Sequence, residues 1–329
     1  MFRYIDCADY GSEFCPCSLA ERGECIICSQ LKNQKFCDCL NWKGTCVYQE
    51  FIWNNEKSKK SREYRKFRIV EKRYLREDLI LLKIKVNQGL ARELCNIGAF
   101  VFLKPERDIE AYSTPISIME SDIINNIITV VFKIEGVKTK ALKECDKEIM
   151  VKGPYWNGIQ GKKYIEDLKN KSCLIIGRGV ALAPAVLAAK KMINNKNNVY
   201  VVLDRGRSEE HFTESYFKSY GCVVKPTKIC NMNKYILDDT RELLQHLLKK
   251  WNYEVVLSAG NDDFHRLILN YIHNLDPYIK FATVNNSTMC CGEGVCGSCQ
   301  LRGKNNEIIK TCKQQFNPLE VFGEELNSK

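Results

Sequence analysis

The spacing of apolar residues divides the chain into three kinds of segment. Between residues 66 and 132 the apolar positions come in short β-prone runs: Lys66-Phe67-Arg68-Ile69-Val70, Leu79 to Val86, Phe100 to Leu103 and Ile127 to Phe132. Such runs at close spacing, with no long helical period between them, predict a small antiparallel barrel. From about residue 170 the period changes. Ser172 to Ile176, Val199 to Leu203, Glu254 to Ser258 and Ile279 to Thr283 read as buried strands. Val180 to Met192 and Tyr235 to Trp251 read as helices, the second with Ile236, Leu243, Leu244 and Leu247 on one face. Alternating strand and helix predicts a doubly wound parallel α/β sheet. The two ends of the chain show neither period and are instead rich in cysteine.

Cysteine occurs 18 times in 329 residues, against four histidines. The N-terminal stretch lacks the layout of a signal peptide, and the longest apolar run, Val180 to Ala189, is far shorter than the roughly 20 residues a membrane span needs. The expectation is a cytoplasmic protein with reduced thiols and no membrane span. In that setting dense cysteine points to metal or iron–sulfur ligation, because soft sulfur ligands select zinc and iron–sulfur centres.

The net charge is +10, but it is unevenly placed. Residues 1–50 hold five Lys/Arg and seven Asp/Glu, a net of −2, whereas residues 51–76 hold ten basic and three acidic residues, a net of +7. The excess reads as a solvated basic tether, with an acidic docking partner as the other use of such a strip, and argues against nucleic acid.

The most specific motif is Cys291-Gly-Glu-Gly-Val-Cys296-Gly-Ser-Cys299, followed after twelve residues by Cys312. This C-x4-C-x2-C…C spacing is that of a plant-type [2Fe–2S] site. Its glycines let the loop curl and bring backbone N–H groups to the sulfurs. Cys290 stands one residue out of register. Ahead of it, Leu174-Ile175-Ile176-Gly177-Arg178-Gly179 carries a strand into Gly-x-Gly and then a helix, an arrangement for a nucleotide pyrophosphate, with Leu182 in place of the third glycine. Asp204 ends the next strand, where a carboxylate accepts from an adenosine ribose hydroxyl; Arg205 and Arg207 beside it suit a 2′-phosphate, so NAD and NADP both remain open.

With these parts in this order, residues 65–329 resemble the electron-transfer subunit of B-type dihydroorotate dehydrogenase, within the ferredoxin–NADP reductase superfamily. The resemblance implies a barrel that binds FAD, an NAD(P)-binding α/β domain and a C-terminal [2Fe–2S] domain. The family's flavin motif looks like Thr114-Pro115-Ile116-Ser117. Its following strand is similar to Val131-Phe132-Lys133-Ile134, its pyrophosphate turn to Lys138-Thr139, and its glycine-rich segment to Gly153-Pro154-Tyr155-Trp156-Asn157-Gly158. Its late cysteine loop is matched loosely by Ala259-Gly260-Asn261. The implied activity is that of a flavin-dependent oxidoreductase passing electrons between NAD(P)H, FAD and iron–sulfur centres, to or from a redox partner protein. A non-catalytic docking subunit of a larger dehydrogenase and a metal-sensing protein on a reductase scaffold are the alternatives. No catalytic side chain is assigned.

The N-terminal cysteines fall outside that resemblance. Cys7, Cys15, Cys17, Cys25, Cys28, Cys37, Cys39 and Cys46 supply eight thiols and no histidine. An iron–sulfur cluster, [4Fe–4S] in type, or a structural zinc is expected on a subset of Cys15, Cys17, Cys25, Cys28, Cys37, Cys39 and Cys46. The expected divisions are a cysteine-rich module at 1–54, a basic linker at 55–64, the barrel at 65–165, the α/β domain at 166–284 and the [2Fe–2S] domain at 285–329. On this reading the linker from Lys57 to Arg76 lets the head stay mobile or dock on an acidic partner, and removal of residues 1–54 leaves the flavin and the C-terminal cluster intact. Cys95, Cys145, Cys173, Cys222 and Cys230 are isolated and read as core residues, and His265 and His273 lack an acid–base partner.

Overall fold

The computed structural model describes residues 6–37, 44–206, 209–231, 235–303 and 306–323. Strand β1 (Asp6–Cys7) opens the chain. After the cysteine-rich segment come β2 (Tyr64–Arg76), β3 (Leu79–Lys85), β4 (Phe100–Lys104), β5 (Thr114–Asp122), β6 (Ile127–Lys133) and β7 (Glu148–Tyr155). They close into an antiparallel barrel in the order β2-β3-β6-β5-β4-β7. Strand alternation gives these strands two apolar faces with different destinations. Ile80, Leu82, Ile84, Ile118, Val130 and Phe132 fill the barrel. Leu79, Leu81, Met119 and Val131 point outward into the core of the next domain, with Ala185, Val186 and Ala189 of the helix Ala183–Asn194. That shared core fixes the barrel against the α/β domain.

The second sheet contains β8 (Ile159–Gln160), β9 (Ser172–Arg178), β10 (Asn198–Asp204), β11 (Val223–Pro226), β12 (Tyr253–Ala259) and β13 (Lys280–Val284), in the order β11-β10-β9-β12-β13-β8. The first five are parallel, as the alternating pattern predicts, and β8 adds an antiparallel edge. The helix expected at 180–192 starts later, because Gly179–Leu182 form a 3-10 turn before Ala183. The one expected at 235–251 is the shorter Asp238–Lys250; Ile236 instead bridges to Cys230 and is buried. The C-terminal segment forms a hairpin, β14 (Gln300–Arg302) and β15 (Ile308–Lys310), and then β16 (Gln314–Gln315). Strand β16 pairs antiparallel with β1, with Cys7 opposite Gln314.

The basic stretch is not a solvated tether. Its second half is barrel strand β2, whose backbone pairs with β3 and β7 while its charges face outward. Its first half is strapped to the cysteine-rich segment. The Ser58 N–H donates to Glu21, the Lys59 N–H to the Pro16 carbonyl, and Lys60 pairs with Glu13. Arg62 is 6% exposed. Spacing had no means of showing which cation of the run turns inward. The head is packed on the body through β1 and Arg62, and the expectation that it is mobile is corrected accordingly.

The isolated thiols Cys145, Cys173, Cys222 and Cys230 are buried, and Cys95 is half-buried. His265 is fully buried between the Ser258 hydroxyl (2.9 Å) and the Val284 carbonyl (3.1 Å). Burial lowers its pKa to about 3, and burial likewise lowers His211 to about 4. Both are neutral in the folded chain but take up protons near pH 6.5 when unfolded, so below that pH the unfolded state binds more protons. Stability is therefore expected to fall as pH drops from about 6.5 toward 4. Denaturant midpoints at pH 7 and pH 5 check this, and His265→Gln should make the decline shallower.

Candidate functional site

The candidate residues fall into three sites. The first is a cleft of about 180 Å³ at the junction of barrel and cysteine loop, lined by Phe100, Pro115, Ser117, Gly158, Asn285 and Met289. Cross-strand register places Phe100 opposite Ser117 and Phe102 opposite Pro115. Next to the cleft two backbone segments meet at Gly158 and Gly98. The Gly158 N–H donates to the Gly98 carbonyl at 2.8 Å, and a Cβ on Gly158 would lie 2.7 Å from that oxygen. Gly98 has φ +74° and meets the Ile159 nitrogen just as closely, so neither position admits a side chain. The two glycines thus serve the close approach of these backbones.

The segments singled out in the sequence converge here unequally. Lys138 Nζ donates to the Ser113 carbonyl at 3.2 Å, bringing the Lys138-Thr139 turn to the start of the Thr114–Ser117 strand. Thr139 Oγ1 accepts from the Glu135 and Gly136 N–H groups and pins that turn. Lys133 pairs with Glu135 at 2.7 Å. Thr114 donates to the Tyr112 carbonyl. Ile116 and Phe132 fill the barrel, Ile134 packs on it, and Val131 lies in the shared core, so none of these four lines the cleft. Gly153 packs on Val101. Asn157 is turned to another task. It is fully buried, donates to the Thr311 and Gln314 carbonyls, and accepts from Gln315, which joins the barrel's end to the cysteine-loop domain.

The second site is a cavity of about 460 Å³ between the barrel and the C-terminal ends of β9 and β10, lined in part by Arg73, Arg76, Gly179, Asp204, His211 and Tyr216. Gly177 lies behind it, where a Cβ would collide with Leu182 and Ala259. Leu182, at the place of the third fingerprint glycine, is thus an apolar plug seated on the first. Gly260 similarly packs on the Phe264 ring. Asp204 accepts from the Gly206 and Ile229 N–H groups, which fixes its carboxylate at the rim. Arg205 forks onto buried Glu214 at 2.6 and 2.8 Å, and this hydrogen bonding helps lower the Glu214 carboxyl to about 2. Arg207 lies outside the described residues.

The third site is the C-terminal cysteine loop. Its thiols lie close together, Cys291 beside Cys296 and Cys299 beside Cys312, with Cys290 also against Cys296. Contact with Cys312 lowers Cys299 to about 6; burial opposes ionisation of Cys296, yet bonds to Ser298 and Cys291 bring it to about 7. The Glu293 N–H donates to the Cys291 sulfur at 3.3 Å. Gly292 has φ +72°, and a Cβ there would strike Tyr155 and Phe102 at 2.6 and 2.8 Å. Among the described residues, no three Cys, His, Asp or Glu side chains converge at the spacing of a single metal ion. Two thiol pairs fit a two-iron cluster, each pair serving one tetrahedral iron. Cys290 is exposed and stands beside Cys296.

Beneath this loop lies a charge cluster that sequence reasoning missed. Arg62 meets Asp9 at 2.7 Å and Glu293 at 3.3 Å, and Lys313 meets the same two acids at 2.6 and 2.9 Å. The side chains of Arg62 and Lys313 are each 1% exposed. The Tyr155 hydroxyl donates to Glu293, and the Arg62 guanidinium lies 3.9 Å from the Phe14 ring centre and 4.3 Å from that of Tyr155. Lys313 directly follows Cys312, and Glu293 lies inside the C-x4-C loop.

The N-terminal thiols occupy the cysteine-rich segment beside this cluster. Burial pushes Cys15 up to about 12 and raises Cys25 and Cys28 as well. Cys46 caps the helix Val47–Trp53, Cys17 is half-buried and Cys37 is exposed. Cys39 lies outside the described residues.

No family model matches the chain. Among curated proteins it is 25% identical over 234 residues to the dihydroorotate dehydrogenase B (NAD(+)) electron transfer subunit of Fusobacterium nucleatum, covering 68% of this chain and 85% of that protein. The subunit of the same name from Bacillus velezensis is 24% identical, covering 70% and 88%. Among solved structures, an NADH-dependent reduced ferredoxin-NADP oxidoreductase studied for flavin-based electron bifurcation superposes with a TM-score of 0.63 at 17% identity, over 79% of this chain and 91% of that one. The resemblance drawn from the motifs thus agrees with the relatives found, and the barrel followed by a parallel sheet is a ferredoxin–NADP reductase-like fold.

Proposed function

We propose that this chain is a flavin-dependent electron-transfer protein that takes electrons from NADH and hands them singly to a C-terminal [2Fe–2S] centre and on to a redox partner. The observation that carries the reading is a shared wall. Phe100 and Met289, which line the cleft, pack in one buried cluster with Phe102, Tyr155, Cys299 and Cys312. A ligand in the cleft would therefore be separated from the cysteine loop by little more than two side chains. The relatives bearing the electron-transfer subunit name support the same use, and a catalytic dehydrogenase subunit is the class of partner they point to.

Bound FAD supplies the chemistry that no side chain offers, accepting two electrons from a nicotinamide and releasing them one at a time. The protein's own residues bind and orient. Pro115, Ser117 and Gly158 would hold the flavin ring, with Lys138 and Lys133 as cations toward its diphosphate. Gly179 and Asp204 would hold the dinucleotide. Cys291, Cys296, Cys299 and Cys312 would hold the cluster. Anaerobically purified protein should carry FAD, with iron and acid-labile sulfide, and should reduce an artificial one-electron acceptor with NADH. Release of FMN, or of no flavin, would defeat the proposal. Reduction only in the presence of a second subunit would favour the docking alternative.

NADH should be preferred to NADPH. The Arg205 fork is already held by Glu214, whereas the fixed Asp204 carboxylate accepts from a ribose hydroxyl and repels a 2′-phosphate. Asp204→Ala is expected to narrow the ratio of kcat/KM values about tenfold, the equivalent of about 1.4 kcal/mol. A wild-type preference for NADPH would contradict it.

A further inference from the structure

The buried charge cluster beneath the cysteine loop takes part in none of the steps above, yet its placement is specific. Lys313 directly follows Cys312, and Glu293 lies between Cys291 and Cys296. Their 2.9 Å ion pair joins the two chain segments that carry the four thiols. Gly294 has φ +74°, and a Cβ there would lie 3.1 Å from Leu19 and 3.8 Å from the Lys313 stem, so that stem runs against the backbone of the loop. Neighbouring α-carbons are about 3.8 Å apart and a lysine side chain spans about 6 Å, which keeps the ammonium within about 10 Å of the Cys312 α-carbon.

The N-terminal segment supplies the counter-charge. Asp9 meets Lys313 at 2.6 Å and Arg62 at 2.7 Å, and the neighbouring Ala8 N–H donates to the Lys313 carbonyl at 2.8 Å. The side chains of Lys313 and Asp9 are 1% and 6% exposed, whereas Glu293 is 26% exposed and its charge is the more screened. Burying charges is a costly way to join two segments, because apolar residues of similar volume often serve as well. A fixed cation beside a centre that gains an electron has a use that apolar residues lack.

We propose that Lys313 tunes the C-terminal [2Fe–2S] centre, its buried ammonium favouring the reduced form, and that Asp9 of the N-terminal segment sets how strongly it does so. The inference rests on the flavin and [2Fe–2S] reading above. Reduction brings one electron from the flavin, which NADH has reduced; it converts one ferric ion to ferrous and adds one negative charge, with no bond made or broken. Net charge and hydrogen bonds to the sulfurs both set a cluster's potential. Lys313 acts through both in the same direction. Its charge attracts the added electron, and its hold on Glu293 keeps the Glu293 N–H on the Cys291 sulfur at 3.3 Å. Asp9, of opposite charge, acts against it. At an effective dielectric of about 20, two unit charges about 10 Å apart interact by slightly more than a tenfold change in an equilibrium.

The test is a reductive titration of the full chain, purified anaerobically as wild type, Lys313→Met, Lys313→Arg and Asp9→Asn, with the electron paramagnetic resonance signal of the [2Fe–2S] centre as the readout. Lys313→Met should disfavour reduction about tenfold, a fall of about 59 mV for one electron. Lys313→Arg keeps the charge and should stay close to wild type. Asp9→Asn should move the equilibrium the other way, toward reduction. A purely structural role would displace Lys313→Met and Asp9→Asn in the same direction or leave both unmoved. Where one single variant does not fold, the double variant Asp9→Asn/Lys313→Met, which removes an ion pair whole, is compared with the other single and should show the missing displacement. If neither single folds, the double should lie below wild type, because Lys313 adjoins Cys312 and Asp9 does not. No shift on loss of the Lys313 charge, a shift of the same sign on loss of Asp9, or Lys313→Arg displaced as far as Lys313→Met would overturn the inference. Wild type lacking flavin or the C-terminal cluster would instead defeat the reading on which it rests.

Discussion

Asp9→Ala is expected to destabilise the protein by about 3–5 kcal/mol, the range for breaking a buried ion pair from one side. Asp9 touches two cations, Arg62 and Lys313, whose side chains are almost wholly withdrawn from water. Its loss leaves two buried positive charges to share Glu293 alone, which is itself partly exposed. Asp9 also anchors the N-terminal segment, so its removal should loosen β1 from β16 and with it the stretch next to Cys312. Burial raises the Asp9 carboxyl, but Lys313 and Arg62 outweigh it and hold the group below the usual carboxylate range. A carboxylate lowered in the folded state contributes stability above its unfolded pKa, near 4, and loses it as pH falls toward the folded value. The difference between wild type and Asp9→Ala should therefore be full at pH 7 and shrink below pH 4. Urea unfolding across that range measures it; a difference under about 1 kcal/mol at pH 7 would mean that the cluster does not bind the head to the body.

Cys299→Ser should abolish the C-terminal centre. Cys299 is buried beside Cys312 and packed with Phe102 and Met289, so a hydroxyl in its place removes a soft donor from the site. Exposed Cys290, the neighbouring candidate, stands against Cys296 rather than Cys299. The expected result is complete loss of the [2Fe–2S] absorption and its iron, and of electron delivery to a one-electron acceptor that takes electrons from the cluster. NADH should still bleach the flavin, because none of the residues proposed to hold it is altered. Retention of the cluster in Cys299→Ser, or loss of flavin with it, would show that the ligands or the division between the two sites is misassigned.

Truncation at residue 54 carries a different expectation from the one the sequence alone supports. A tethered head would leave the remainder whole. With β1 paired to β16 and Asp9 seated under the cysteine loop, its removal exposes Arg62 and Lys313 and takes away a strand partner, so the C-terminal centre should weaken.

Much of the architecture was legible from the chain because it rests on local period. The alternation in β3 and β6 and the change to a strand–helix rhythm after residue 170 are properties of neighbouring residues, and they specify a barrel followed by a parallel sheet. The cysteine loop was legible for the same reason, since 4-2-12 spacing and three glycines lie within one short segment. Tertiary structure alone decided what depends on residues distant in the chain. Arg62 looked like one cation in a charged run, but it meets Asp9 and Glu293, which lie 53 and 231 positions away, and only there does burial make it a structural ion. Asn157 looked like part of a flavin segment, yet its amide is spent on carbonyls more than 150 positions distant. The pairing of β1 with β16 has the same origin: it joins the two ends of the chain, and spacing along the sequence cannot show it.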